Sequence, residues 1–184
     1  MRRGIFRTVL ACLLFLFPAF SHAHPETGLL PDAIAEMEYR IVLEITPNDI
    51  KTRNRLGIVL YRKNKLKEAE KEFADVLRAA PRDFDAHDGM GLVKLKEQKG
   101  AEAVAWFRKA VSLNNEDTMV YHGLGLAFEQ LGRLPEAEAS YRKGLEVNER
   151  LIRRGVNRDK ELERKNLLLA ALQNLQTRMK PAKG

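Results

Sequence analysis

The sequence predicts an all-α fold built from antiparallel helix pairs, and three observations predict it. The spelling YHGLGLA at Tyr121–Ala127 returns thirty-four residues earlier as HDGMGLV from His87, and thirty-four before that as RNRLGIV from Arg53. Other columns keep the same spacing: Leu56, Met90 and Leu124; Gly57, Gly91 and Gly125; Ala69, Ala103 and Ala137; Phe73, Phe107 and Tyr141; Leu77, Val111 and Leu145. Within a period the apolar positions fall at helical intervals. Ala69, Phe73, Val76 and Leu77 stand at i, i+4, i+7 and i+8, one stripe on a helix. Leu56 and Leu60 begin a second stripe, and Asn64, Gln98 and Gly132 mark the break between the two helices of each row.

In chain order, residues 1–23 predict a secretory leader. MRRGIFR supplies three arginines, VLACLLFLFPAF a twelve-residue apolar run, and SHA small residues at Ser21 and Ala23, where a signal peptidase cleaves. An uncleaved anchor is the alternative, although the run is short for crossing a bilayer. Cys12 is the only cysteine and leaves with the leader, so the mature chain has no disulfide. Residues 24–49 hold a half-repeat: Ala35, Tyr39, Val42, Leu43 and Pro47 fall one period before Ala69, Phe73, Val76, Leu77 and Pro81, with Pro31 suited to a helix start. Three full repeats follow at 50–83, 84–117 and 118–151. No proline stops the third, so its second helix runs on to Gly155. Asn157 then starts a last helix over Arg158–Met179 whose stripe is Leu162, Leu168, Leu169, Leu172, Leu175 and Met179. Residues 152–184 thus read as a capping helix with a basic tail that ends in a frayed PAKG.

Gly57, Gly91 and Gly125 sit inside helices, where glycine costs about 1 kcal/mol relative to alanine. A phosphate-binding loop needs a preceding buried strand and glycines in a turn, and VYHGLGLAFEQ has neither. The expected offset is close approach of the partner helix that carries Ala69, Ala103 or Ala137. With its period of thirty-four and these columns recurring together, the chain resembles the tetratricopeptide repeat family over Ile50 to about Leu151. The resemblance implies a right-handed α-solenoid whose first helices line a concave groove. Arg53, His87 and Tyr121, and Leu60, Lys94 and Phe128, stand where that family usually carries tryptophan and tyrosine, and Asn115 and Glu149 replace the closing proline kept at Pro81.

The formal net charge is +7, but it belongs to the ends. Removing residues 1–23 leaves +4, with −3 over residues 24–149 and +7 over 150–184. A basic domain of the kind that binds nucleic acid is therefore not expected. HExxH and GxSxG motifs and cysteine pairs are missing, so the sequence predicts no catalytic residue, cofactor or metal site. His24, as a new N-terminus, has no further ligands nearby.

Function is then expected to be binding. The resemblance places Asn54, Asp88 and His122, then Ile58, Leu92 and Leu126, in two columns facing the groove, with Tyr61, Leu95 and Met119 widening the apolar one. An apolar strip of this kind suits a peptide laid along it. Asp88 and His122 stand where a carboxylate-gripping clamp would need lysine or asparagine. The expectation is a non-catalytic scaffold of the bacterial envelope, periplasmic or secreted, that binds a protein or peptide partner. The alternative is a surface-acting protein whose basic C-terminal helix meets anionic lipid or glycan. Self-association through an uncapped solenoid end is also open.

Overall fold

A computed structural model describes residues 31–179 as eight helices: α1 (Asp32–Ile45), α2 (Ile50–Arg62), α3 (Leu66–Ala79), α4 (Phe84–Lys96), α5 (Gly100–Leu113), α6 (Thr118–Gln130), α7 (Leu134–Arg153) and α8 (Arg158–Met179). The leader expected over residues 1–23, the segment to Leu30 and the PAKG tail lie outside the described residues. Helices α2/α3, α4/α5 and α6/α7 are the three pairs; α1 is the half-repeat and α8 the closing helix. Chain neighbours pack on one another in sequence, and α2, α4, α6 and α8 also touch as a row of alternate helices, so the architecture is an all-α solenoid.

Local chemistry sets each boundary. The first helices α2, α4 and α6 start at Asp49, Asp83 and Asp117, spaced thirty-four apart. Their carboxylates accept backbone N–H groups from Lys51 and Thr52, from Ala86, and from Met119 and Val120. Each satisfies donors that a helix start leaves open, worth about 1 kcal/mol. The break inside each pair falls at Asn64, Gln98 and Gly132, whose φ angles of +61°, +62° and +69° lie in the left-handed region. Gly155, at φ +71°, ends α7 as its composition predicts.

The packing offset for the mid-helix glycines differs from the one expected. The group that fills the space is the aromatic ring of the second helix, not its alanine. A Cβ on Gly57 would lie 2.6 Å from Phe73 Cε1, and one on Gly91 would lie 2.6 Å from Phe107 Cδ1 and Cε1. Each ring is also met from the following first helix: Phe73 by Gly89, and Phe107 by Gly123. Phe73, Phe107 and Tyr141 are fully buried. One ring thus joins three helices, and a glycine on each flank lets two backbones approach it.

The closing helix is narrower in its packing than the sequence pattern suggests. Leu168, Leu172 and Leu175 are buried, while Leu162, Leu169 and Met179 are 44%, 44% and 39% exposed. A 3.6-residue period puts Leu162 and Leu169 off the contact face, whereas Met179, at i+11 from Leu168, continues that face and is left open as the last residue of the helix. The place of a wider leucine stripe is taken by a buried polar cluster around Glu161, which is 2% exposed. Its carboxylate accepts from Thr118 Oγ1 at 2.7 Å, Asn148 Nδ2 at 2.7 Å and Arg164 Nη1 at 2.6 Å, tying α8 to both α6 and α7.

Gly91→Ala tests the ring-and-glycine junction. Helix propensity alone favours the change by about 1 kcal/mol, but the ring of Phe107 is held from the other side by Gly123 and cannot give way. Overpacking of about 1–3 kcal/mol should win, and thermal or urea unfolding of the variant should show a net loss of stability.

Candidate functional site

The row of first helices is pinned by side chains that reach from one repeat to the next. Asn54 Nδ2 donates to Asp83 Oδ1 at 2.9 Å, Lys96 Nζ to the Tyr61 carbonyl at 3.1 Å, and Gln130 Nε2 to the Leu95 carbonyl at 2.8 Å. The bond from Thr118 to Glu161 continues the series into α8. Asn54, expected to face the groove, is instead buried and committed to the cap of the next repeat. An amide at this depth keeps its partner because leaving Asp83 and Asn54 unpaired would cost more than any exposed contact returns.

The rest of the expected strip lies on neighbouring helices. Ile58 on α2, Leu92 on α4 and Leu126 on α6 occupy one repeat column and are each partly buried. Ile58 and Tyr61 rest on the N-terminal half of the core, Leu92 and Leu95 on the C-terminal half. Lys96 Nζ sits 4.6 Å from the centre of the Tyr61 ring, a cation–π contact that covers part of that ring. Met119 is partly buried in the first turn of α6, its amide held by Asp117. Helix α8 packs chiefly on α7, with a smaller contact on α6, rather than across the row.

Beside the apolar column the electrostatics are acidic. Burial raises the Asp88 carboxyl to about 7, with Asp117 and Asp85 adding repulsion and Arg164 opposing it. Burial also raises Asp85, again with Asp83 and Asp117 behind it. His122 is pushed down, because burial disfavours the imidazolium more than Glu129 favours it. Its ring lies 5.8 Å from that of Tyr141. Tyr141 in turn donates its hydroxyl to Glu129 Oε1 at 2.5 Å, and Arg178 pairs with the other carboxylate oxygen. Asp117 escaped the sequence reading; Asp85 and Glu129 share groove-facing columns with Met119 and with Tyr61 and Leu95, but no acidic surface was expected from them. The Asp49–Asp83–Asp117 column was a visible signal, but for helix starts rather than for a charged groove.

Among the described residues no group of three His, Cys, Asp or Glu could hold a metal ion, and no helix is long and apolar enough to cross a membrane. His87 is buried against Trp106, with 5.4 Å between ring centres, and its Nε2 meets the Pro81 carbonyl. Four cations of the basic C-terminal region are paired within the chain: Arg154 with Glu116, Lys165 with Glu149, Arg164 with Glu161 and Arg178 with Glu129.

Two family models, each described as tetratricopeptide repeat, match residues 54–118 and 120–150. No curated protein matches the sequence. Solved structures share the fold. The Yersinia enterocolitica type III secretion translocator chaperone SycD in an alternative dimer superposes with a TM-score of 0.63 at 16% identity, over 72% of this chain and 95% of that one. SycD in complex with a peptide of the translocator YopD gives 0.60 at 15% identity, over 71% and 94%. MamA (41-end) from Desulfovibrio magneticus RS-1 gives 0.57 at 20% identity, over 79% and 87%.

Asp88 makes stability depend on pH. Its folded value lies above that of an exposed aspartate, so between about pH 4 and 7 the folded chain holds a proton that the unfolded chain has lost, and stability falls as pH rises through that window. Asp88→Asn should therefore stabilise the protein above pH 7 by on the order of 2 kcal/mol, with the gain fading to nothing near pH 4. Denaturant unfolding at both ends of the window measures it.

Proposed function

This chain belongs to the tetratricopeptide repeat family, and on that premise we propose that it is a non-catalytic interaction scaffold that binds a segment of a partner protein along its row of first helices. The observation that carries the reading is the column of Ile58, Leu92 and Leu126, three large aliphatic side chains left partly open on successive helices. The acids beside it define the ligand more closely. Asp85, Asp88 and Asp117 repel one another, and a cationic side chain between them would relieve that repulsion. The fitting ligand is an amphipathic segment with two or three apolar anchors and a lysine or arginine close by. A structural relative at low identity holds a peptide of a secretion translocator, which supports peptide capture on this fold.

The place of action proposed is the bacterial envelope. Its support is the leader read at residues 1–23, with three arginines, an apolar run and a small-residue site at Ala23. Such a scaffold needs no cofactor. It would act in assembly, holding one segment of a partner while the rest of that partner docks elsewhere.

The test is a crosslinking capture from envelope extract with the wild-type chain and with Leu92→Glu, Leu126→Glu, after circular dichroism has established equal helicity. Two carboxylates in the strip should weaken capture of the wild-type partner at least about tenfold, and raised salt should weaken it only in part, through the acidic border. Undiminished capture by a folded double variant would remove the strip as the binding site. Loss of capture by salt alone would move attention to the remaining cations at the C-terminal end.

A further inference from the structure

The two ends of the solenoid are finished differently. At the C-terminal end, α8 turns Leu168, Leu172 and Leu175 inward and exposes a mixed surface in which Leu162, Leu167 and Leu169 stand among Asp159, Glu163, Asn166, Gln173 and Thr177. Leu162 and Leu169 share one line at i, i+7, with Leu167 and Met179 off it, so no continuous apolar stripe forms there. At the N-terminal end, α1 buries Ala35 and Tyr39 but leaves Ile34, Met37, Ile41 and Ile45 exposed at 43%, 60%, 46% and 64%. These four stand at i, i+3, i+7 and i+11, one continuous apolar stripe.

The repeat itself says that the stripe is unusual. One, two and three periods after Ile34 stand Glu68, Glu102 and Glu136; after Ile41 stand Asp75, Lys109 and Lys143. In α3, Glu68 reaches Arg40 at 2.7 Å and Asp75 lies 3.5 Å from Arg53. These columns are solvent-facing or paired in the other second helices, and α1 alone fills both with isoleucine. No described element covers them. A cleft of about 470 Å³ borders the stripe, lined by Met37 and Ile41 together with Arg40, Glu44, Lys63 and Lys65.

We propose that two copies of this chain pair through α1, the two helices lying antiparallel about a two-fold axis near Ile41. Self-pairing follows from there being one continuous apolar stripe per chain. A head-to-tail contact would set the stripe against the mixed, largely polar outer face of α8, whereas end-to-end pairing of the two stripes buries both and closes the assembly at two copies. Charge fits the same arrangement. With Ile41 opposite its symmetry mate, Met37 meets Ile45 of the other copy. Arg40 and Glu44 share one edge of the stripe, so each Glu44 comes within a turn of the other copy's Arg40. Glu44 has no ion partner within its own chain among the described residues, and Arg40, held by Glu36 at 3.0 Å and Glu68 at 2.7 Å, keeps 44% of its side chain exposed toward a further carboxylate. The pair would leave both rows of first helices free.

Analytical ultracentrifugation of the chain expressed from its full sequence should show a dimer that dissociates on dilution. Met37→Glu, Ile41→Glu should weaken it at least about tenfold at unchanged helicity. Ile41→Cys in a Cys12→Ser background should form a disulfide-linked dimer under mild oxidation, while Leu169→Cys on α8 should not. Glu44→Arg should weaken pairing, and Arg40→Glu added to it should restore part of the loss. A wild-type chain that is monomeric at all concentrations, a dimer indifferent to the glutamates, or crosslinking at Leu169 rather than Ile41 would each overturn the proposal.

Discussion

One contact repeats through this molecule and everything else is arranged around it: an aromatic ring on a second helix, held between a glycine of its own first helix and a glycine of the next. Phe73 sits between Gly57 and Gly89, and Phe107 between Gly91 and Gly123. The contact fixes spacing within a pair and between pairs at once. It accounts for two mid-helix glycines in α4 and two in α6, each of which helix propensity alone disfavours by about 1 kcal/mol. With the backbones drawn in, the side chains of successive first helices are close enough for bonds such as Asn54 to Asp83 and Gln130 to the Leu95 carbonyl. The column of Ile58, Leu92 and Leu126 is aligned as a by-product.

The ring junction cannot close the array, because the last ring has no further glycine-bearing helix to receive it. At α8 the solution changes from shape to polarity. A carboxylate buried to 2% exposure is tolerable only with its lone pairs used, and Thr118, Asn148 and Arg164 use them. Such a cluster places α8 in one register, which a stripe of leucines with their loose complementarity does less well. At the other end a second buried carboxylate ties α1 to the turn after α2: Glu36, 7% exposed, accepts from Arg40, Lys63 and Lys65.

The sequence made the repeat legible to the residue, since column spacing is a property of the chain and needs no coordinates. The bounds of α7 and α8, including the long run past the third repeat and the stop at Gly155, followed from the missing proline and the glycine. Side-chain direction was harder to read. Asn54 shares a column with Asp88 and His122, yet it turns inward because an aspartate cap lies within reach. The capping aspartates at 49, 83 and 117 were a periodic signal as plain as the glycines but were passed over in favour of apolar columns. The apolar face of α1 was also written in the sequence: Ile34 and Ile41 interrupt columns that are otherwise charged. It went unnoticed because repeat alignment rewards agreement, and here the information lay in the disagreement.

A chain whose joints are interchangeable can be shortened only in whole units. If the segment from Phe84 to Asp117 were spliced out, Asp83 would directly precede Thr118 and still stand at a helix start. Phe73 would then meet Gly57 on one side and Gly123 in place of Gly89 on the other. Every remaining joint would find a partner of the type it has now. A cut two residues longer or shorter would put the new junction between Phe73 and the following helix out of register, while the joints downstream kept their own spacing. The unit of tolerated change in this molecule is thus neither the residue nor the helix but the thirty-four-residue interval between one aspartate cap and the next.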